Sequence, residues 1–314
     1  MKYLIKKLFT LIITLLLISF LSFTAFSVIP GDAALSKLGK DATEEQLTAM
    51  REEMGLNDPL HERYIDWLTG AVQGDFGESY RYEETTVESL LADRLPVTVL
   101  LAAISLVIIL VISVPLGILC ARFSGTWIDT LINQISQIVM AIPAFFLGII
   151  LTYVFGLVLH FFQPGSFVPP SEDFGASVKY LFFPALAVAL PKIAMVVKFL
   201  RNSVISEMHK DYVRTARSKG NKETAVLYGH VLKNAMIPVI TFLAMVIAEI
   251  LAGSIVVEQV FSVPGLGRLL ITSISTRDYP VVQAIVLYIT AVVVIINFIV
   301  DVLYQLLDPR VKTE

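Results

Sequence analysis

Six long apolar runs constrain this chain more than any other feature of its sequence. The first three contain no Asp, Glu, Lys or Arg, and each of the other three contains only one or two. A helix that crosses the hydrocarbon core of a bilayer, about 30 Å thick, needs roughly 20 consecutive apolar residues. The runs therefore predict six membrane-spanning helices, at residues 8–29, 97–119, 131–162, 180–200, 235–257 and 281–307.

Prolines interrupt two of these runs. Pro143 falls within the third run, which is too long for one straight span, and Pro184 and Pro191 fall within the fourth. Proline is tolerated in a spanning helix when its neighbours satisfy the backbone group that it frees. The predicted fold class is therefore an all-α polytopic membrane protein with six transmembrane helices embedded in a lipid bilayer.

The composition agrees with a membrane protein and argues against several other classes. Charged residues make up 16% of the chain, whereas soluble domains typically have about 25%. The sequence contains no basic arm and no basic patch with interleaved aromatic residues, so nothing in it indicates a nucleic-acid partner. The single cysteine, Cys120, cannot form an internal disulfide, and the four histidines are scattered. The sequence thus predicts no metal site.

The distribution of Lys and Arg predicts the orientation. Six spans place both termini on one side, and the segments of that side hold more basic than acidic residues, whereas the opposite segments hold more acidic residues. By the positive-inside rule, both termini are predicted to be cytoplasmic. The chain then divides into a cytoplasmic terminus with the first helix (1–29), an extracellular region (30–95), five further helices with an inner loop at 201–234 (96–307), and a cytoplasmic tail (308–314).

The N-terminus allows a second interpretation, because lysines followed by an apolar run are also typical of a signal peptide. The run at 8–29 is longer than the usual ~7–15 residue apolar core, and no A-x-A cleavage site follows it. An uncleaved first helix is therefore the prediction.

The polar region at 30–95 contains its own helix signals. Each signal is a residue that commonly caps or begins a helix, together with a nearby residue that favours the first helical turn. The predicted starts are Thr43 with Gln46, Asp58-Pro59 opening a helix through Trp67, and Thr85 with Glu88 leading to Pro96. The region is either an ordered surface segment or a docking platform for an external partner.

The loop between the fourth and fifth runs is the most informative stretch. Its sequence predicts a helix from Asp211, a glycine turn at Gly220, and a short amphipathic helix at 222–234. Leu227, Val231 and Leu232 fall on one face of that helix. An apolar face in this position should pack against something, and the sequence leaves open whether this is another protein or the chain's own helices.

The loop resembles the EAA-type coupling loop of ABC import permeases, and the chain as a whole resembles the first permease subunit of the dipeptide/oligopeptide/nickel importer family. Similar stretches occur in the same order over almost the whole chain. They are Pro30-Gly31-Asp32, Gly55-Leu56, Asp58-Pro59-Leu60, Gly74-Asp75-Phe76-Gly77, Arg94-Leu95-Pro96, Pro115-Leu116-Gly117, residues 211–220 with His230 and Asn234-Ala235, Val257-Glu258, Val260-Phe261, Pro264-Gly265-Leu266-Gly267, Arg277-Asp278-Tyr279-Pro280 and Asp308-Pro309-Arg310. Residues 214–216 read Arg-Thr-Ala rather than Glu-Ala-Ala, a departure that the peptide/nickel branch shares.

The resemblance implies a role, partners and site residues. It implies a subunit of the bacterial inner membrane that works with a homologous second permease, two cytoplasmic ABC ATPases and an extracellular solute-binding protein. ATP and Mg²⁺ would bind to the ATPases, because this chain has no P-loop, and no cofactor or catalytic residue is expected here. Peptides are the expected solute, with nickel or another metal chelate as the alternative. The residues that would form the ATPase-coupling loop are Asp211, Tyr212, Arg214, Thr215, Ala216, Gly220, His230 and Asn234.

Charged residues in and between the spans supply further candidates. Glu249 and Lys192 lie within spans and are candidate pathway residues; Glu249 could equally pair with a neighbouring helix, and Lys192 could extend to the membrane surface. Arg268, Arg277 and Asp278 lie in the last outer loop. They are expected either to contact the binding protein or to form a local ion pair.

Three other classes of protein fit the sequence less well. A secondary transporter driven by an ion gradient usually has more mid-membrane ionisable residues, or internal repeats. An intramembrane enzyme would need a motif such as HExxH or GxSxG, and the chain has neither. The third class is a purely structural membrane subunit. If the chain belonged to that class, Gly220 should tolerate substitution.

Overall fold

The computed structural model describes residues 2–28, 33–39, 41–82 and 84–307. In this part of the chain the regular structure is helical, and the only strand-like pairing is a single bridge between Glu78 and Thr86. The helices are α1 Lys2–Val28, α2 Ala33–Leu38, α3 Glu44–Glu53, α4 Leu60–Gln73, α5 Val87–Arg122, α6 Trp127–Ala141, α7 Ala144–Leu151, α8 Phe174–Met208, α9 Asp211–Ser218, α10 Glu223–Val226, α11 Leu232–Val260, α12 Leu266–Thr276 and α13 Tyr279–Leu307. Two π-helical segments, Thr152–Val158 and Leu227–Val231, follow α7 and α10.

The membrane spans follow the apolar runs. Five helices of the described residues are long and apolar enough to cross a bilayer, and the count rises to six if one bent pair is a single span. That pair is α6 followed by α7 with its π segment, bent by 95° where Pro143 leaves its preceding residue, Ile142, in an extended conformation. The predicted interruption of the third run is confirmed.

The helix signals of the polar region gave mixed results. The capping box of Thr43 and Gln46 is present at the start of α3. The prediction that Asp58 caps the next helix is wrong, because Pro59 is the capping residue and makes no side-chain bond. The prediction of a separate helix from Thr85 is also wrong, because α5 begins at Val87 and continues through Pro96 to its end.

The chain forms two compact units. The first comprises residues 1–99 and 262–295, and the second comprises residues 100–261 and 296–314. In the first unit, aromatic residues of α1 pack on α4: the ring centroids of Phe20 and Tyr64 are 5.2 Å apart, and those of Phe23 and Trp67 are 5.6 Å apart. The hydroxyls of Ser19 and Tyr64 share a hydrogen bond of 2.8 Å beside these rings.

Helix α8 lies at the centre of the second unit. Helices α6, α7 and α11 pack against it, and most of its residues between Tyr180 and Val204 are buried. Helix α5 also approaches α8 closely where its residue is a glycine. A Cβ at Gly117 of α5 would lie 2.8 Å from the Cδ2 of Leu200.

Candidate functional site

The loop between α8 and α11 has the helix–turn–helix form that the sequence predicts. Helix α9 ends at Ser218, and Gly220 has a φ of +80°, a conformation that glycine adopts without steric cost. The turn is fastened on both sides: the Arg217 guanidinium donates to both carboxylate oxygens of Glu223, at 2.8 and 3.1 Å. The Asn221 amide donates to the carbonyl of Ala216 at 3.0 Å. These bonds hold the turn in one geometry.

The apolar side of the loop is buried in the second unit. Its buried residues form one cluster with residues of α5, α8 and α11. The members are Ala121, Leu200, Val204, Val213, Ala216, Val226, Leu227, Val231, Ala235 and Val239. The amphipathic face that the sequence left open is thus covered by the chain's own helices. It does not offer an apolar surface to another protein.

The opposite side of the loop is exposed and rich in basic residues. Among the predicted coupling residues, six are exposed: Asp211, Arg214, Thr215, Gly220, His230 and Asn234. Lys219, Lys222 and Lys233 of the same loop are exposed as well. We call these nine residues the basic face.

Tyr212 and Ala216 do not belong to the basic face. Ala216 is buried, and Tyr212 is half-buried, with its hydroxyl donating to Glu207 at 2.8 Å. Burial raises the pKa of Tyr212, which the hydrogen bond from Asn234 partly offsets. Both residues therefore fix the loop to α8 and α11 and are not part of its outer surface.

Tyr228 is 54% exposed and was not among the predicted site residues. It follows the buried Leu227 within the π segment. Tyrosine is one of the residues enriched among the side chains that contribute most to protein interfaces. Helical spacing gave no signal for it, because Tyr228 lies three residues before Val231 and therefore falls beside the apolar face that Leu227 and Val231 share.

The segment at 222–234 is not a separate short helix, contrary to the prediction. Helix α10, the π segment and α11 follow one another without a break from Glu223 to Val260. A π segment retains helical hydrogen bonding, with one extra residue in the turn. The exposed part of the loop after Gly220 is therefore the first part of a continuous helix, and the rest of that helix is the predicted fifth span.

Lys192 of α8 and Glu249 of α11 form an ion pair within the predicted spans. Their side chains are 21% and 49% exposed, respectively, so the carboxylate is half accessible although its helix is a span. The pair brings together the two candidate pathway residues. The pair agrees with the alternative that Glu249 binds a neighbouring helix, and its exposure leaves the pathway prediction open.

A second ion pair was not predicted. Asp129 of α6 is buried, and its two oxygens accept from Nε and Nη2 of Arg201 on α8, each at 2.6 Å. The same carboxylate accepts from the Gly125 amide at 3.0 Å and from the side chain of Asn133 at 2.7 Å. This cluster fastens α6 and the turn before it to α8.

The three candidate contacts of the last outer loop have different environments. Asp278 is fully buried: it accepts from the Ser79 hydroxyl at 2.5 Å and from the Tyr80 amide at 3.0 Å. A role for its carboxylate as a surface contact is therefore wrong, because it holds the 79–82 segment within the first unit. Arg268 is half-buried and donates to the carbonyl of Ser262 at 2.9 Å. Only Arg277 is exposed.

Nothing in the described residues resembles a metal centre, since no three or more His, Cys, Asp or Glu side chains come together to hold an ion there. The tail at 308–314, with its Asp308-Pro309-Arg310 motif, and the Pro30-Gly31-Asp32 motif lie outside the described residues.

Comparison with known proteins identifies the family. Residues 113–313 match the family described as the binding-protein-dependent transport system inner membrane component, and residues 1–102 match its N-terminal domain family. The chain is 38% identical over 312 residues to the oligopeptide transport system permease protein AppB of Bacillus subtilis, covering 99% of each chain. A Sinorhizobium fredii protein named as a peptide ABC transporter permease is 32% identical over 310 residues, again with 99% of each chain covered. A Brucella suis protein named as a peptide permease is 35% identical over 316 residues, 99% of each chain. This chain, a multi-pass helical membrane protein, belongs to the family of binding-protein-dependent ABC import permeases.

Proposed function

We propose that this chain is a permease subunit that translocates peptides across the cell membrane, and that the basic face receives the motion of partner ATPases. Relatives named for peptide or oligopeptide transport align with nearly its whole length, which supports the solute class. The chain has no P-loop, so ATP and Mg²⁺ would bind to two separate cytoplasmic ATPases. A homologous second permease and an extracellular solute-binding protein complete the importer.

The observation that carries the coupling role is the continuity between the basic face and two spans. Helix α9 follows the end of α8 after two residues, and α10 continues without a break into α11. A push on this surface would therefore displace whole helices instead of a flexible linker. In this proposal the loop and both termini lie in the cytoplasm, and an ATPase groove receives Tyr228 and the basic residues around it.

The buried cluster behind the loop supports the same role. Because the apolar side is packed on the chain's own helices, the loop is a firm attachment point even before a partner binds. An ATPase that closes on the basic face would tilt α8 and α11 together. Alternating access of this kind moves helices as rigid bodies around a central site.

Gly220→Val tests the coupling role. A Cβ at Gly220 would meet nothing within 4 Å, so the added side chain has room and the main penalty is the positive φ, about 1–2 kcal/mol. We expect ATP-dependent peptide uptake to be lost in reconstituted vesicles, while the ATPases still co-purify with the permease.

Gly165→Val is the matched control. Gly165 has a similar φ of +86° and equally open surroundings, but it lies outside the loop. We expect uptake by this variant to stay near that of the wild type. Normal uptake by Gly220→Val would refute the coupling role and favour a purely structural subunit.

The Lys192–Glu249 pair is the proposed contact with the solute within the membrane. Its carboxylate is half exposed, although an ionisable group in a span costs about 2.5–3.5 kcal/mol on insertion scales. A retained, accessible charge of this kind could meet the ammonium group of a peptide. The lysine keeps the pair neutral overall, which lowers the cost of placing the carboxylate there.

Glu249→Gln separates this role from a structural one. If Glu249 contacts the solute, uptake of lysine-containing peptides should fall more than uptake of neutral peptides. If the pair only joins α8 to α11, uptake of the two kinds of peptide should fall equally. The double variant Lys192→Gln with Glu249→Gln should then restore uptake of both kinds, because no unpaired lysine remains. Parallel binding assays of peptides and nickel chelates to the solute-binding protein would test the solute class.

A further inference from the structure

A cavity of about 660 Å³ lies within the first unit. This volume is within the range of small-molecule sites, about 300–1,000 Å³. Its wall includes Phe23 and Phe26 near the end of α1, and Tyr279 at the start of α13. Both helices are candidate spans, so the cavity lies where two spans meet the polar segment that follows α1. It is therefore expected at the boundary between membrane and water.

Some of the charged residues that line the cavity form ion pairs, and others do not. Two of its basic residues are engaged by acidic ones: Lys37 bonds Glu78 at 3.1 Å, and Arg51 approaches Glu44. Arg63 is different, because its guanidinium lies 6.0 Å from the centre of the Phe23 ring and has no carboxylate partner among the described residues. A half-buried guanidinium without an anion is a ready site for phosphate or carboxylate.

Acidic side chains without basic partners lie in the same wall. Asp58 and Asp66 line the cavity, and neither forms an ion pair within the described part of the chain. Asp66 lies three positions after Arg63 on α4, on the same face of the helix. Among the described residues, the cavity thus offers one free cation and two free carboxylates, a pattern that suits a ligand carrying both a negative and a positive group.

Two hydrogen-bond donors in the wall also lack partners. Nε1 of Trp67 and the hydroxyl of Tyr279 are buried without an acceptor among the described residues. A buried donor without an acceptor is destabilising, because it has given up its hydrogen bonds to water. An occupant with several acceptor oxygens could satisfy both after a small side-chain rearrangement, and a phosphate group has such oxygens.

We propose that this cavity binds the headgroup of an amine-bearing phospholipid, with its phosphate at Arg63 and its ammonium at Asp58 or Asp66. The position at the ends of two spans favours a lipid over a free solute, because a lipid can keep its acyl chains beside α1. Aromatic side chains at the ends of spans are typical of the membrane–water interface, where lipid headgroups lie. The proposal does not depend on the solute of the importer.

Trp67 provides a direct reporter of occupancy. The chain contains two tryptophans, and Trp127 is 73% exposed, so Trp127→Phe should leave the fold intact and Trp67 as the only indole. Short-chain phosphatidylethanolamine would be titrated into this full-length protein in detergent, below the concentration at which the lipid forms micelles. Dihexanoyl phosphatidylglycerol, inorganic phosphate and dialanine would be titrated in parallel.

We expect a saturable change in Trp67 emission with phosphatidylethanolamine, and weaker binding of phosphatidylglycerol, which lacks the ammonium group. Arg63→Gln should weaken binding roughly tenfold or more, since a hydrogen bond to a charged group contributes about 1.5–3 kcal/mol. Arg63→Lys should give an intermediate affinity. Arg81→Gln is the matched control: Arg81 also lies over a ring, that of Tyr82 at 5.7 Å, but does not line the cavity.

Three results would overturn the proposal. Equal loss of binding in Arg63→Gln and Arg81→Gln would show that the site at Arg63 is not specific. Tighter binding of dialanine than of the lipid would identify a site for peptides, and equally tight binding of inorganic phosphate would identify a site for free anions. If Arg63→Gln does not fold, the comparison of the four ligands on the Trp127→Phe protein decides between these outcomes.

Discussion

Replacing Asp129 with alanine should lower the free energy of unfolding by about 3–5 kcal/mol, the cost of removing one partner from a buried ion pair. The carboxylate is 5% exposed and receives four hydrogen bonds, two of them from Arg201 at 2.6 Å. Its removal leaves that guanidinium, which is 21% exposed, without an anion. The Gly125 amide and the Asn133 side chain lose their acceptor at the same time.

Arg217→Ala provides the control for this magnitude. Arg217 also bonds both oxygens of a carboxylate, that of Glu223, but the two side chains are 37% and 69% exposed. Exposed pairs contribute only about 0–1 kcal/mol, because water competes for both partners. The two variants therefore differ in burial while sharing the same bidentate geometry.

The assay is reversible unfolding of the full chain in mixed micelles, with increasing amounts of a denaturing detergent. Asp129→Ala with Arg201→Leu should be less destabilising than Asp129→Ala alone, since no buried charge is then left unpaired. Equal effects of Asp129→Ala and Arg217→Ala, or no recovery in the double variant, would refute the reasoning.

Three further predictions use the same unfolding assay. Gly117→Ala should destabilise by about 1–3 kcal/mol, because its Cβ would lie 2.8 Å from Leu200, whereas Gly229→Ala, which meets nothing within 4 Å, should be neutral or stabilising by up to about 1 kcal/mol. Asp278→Ala should cost about 1–3 kcal/mol, because the Tyr80 amide loses its buried acceptor. Burial raises the pKa of Tyr80 from 10.0 to about 12, so the unfolded chain loses that proton first and stability should fall as the pH rises from 10 to 12. Tyr80→Phe should lack this part of the pH dependence, and a difference between the two proteins that does not change with pH would contradict the assigned cause.

The spans could be predicted from the sequence because their signal is local. An uncharged run of sufficient length needs no knowledge of its neighbours, and Pro143 marks the place where the third run bends. The capping box of Thr43 and Gln46 was predictable for the same reason, because its two partners are three residues apart.

Features that depend on the rest of the fold could not be predicted in this way. Pro96 suggested the end of a helix, but α5 passes through it, because the loss of one backbone hydrogen bond is small beside the packing of a long apolar helix. The partners of the ion pairs are 57 residues apart for Lys192 and Glu249, and 72 apart for Asp129 and Arg201. No sequence periodicity relates residues at such distances.

The amphipathic loop shows most clearly where sequence reasoning stops. Periodicity correctly indicated that Leu227 and Val231 share an apolar face, and the structure buries both. It could not indicate what covers that face, because a partner protein and the chain's own helices demand the same pattern. The structure shows that the apolar side packs on the chain's own unit. The basic face is therefore the surface that remains as a candidate contact for a partner.

If the basic face receives the motion of an ATPase, as proposed above, the Asp129–Arg201 pair adds a third helix to those that the loop would move. Arg201 lies on α8, the same helix as Lys192, ten residues before the start of α9. Its ion pair with Asp129 connects α8 to α6. A force applied to the basic face would reach α8 through α9, α11 through the unbroken helix from Glu223, and α6 through this pair. Because a buried bidentate pair resists stretching more than an exposed one, the three helices should respond as one body. The proposed role agrees with a loop whose apolar side is packed on the chain's own helices and whose charged residues are exposed.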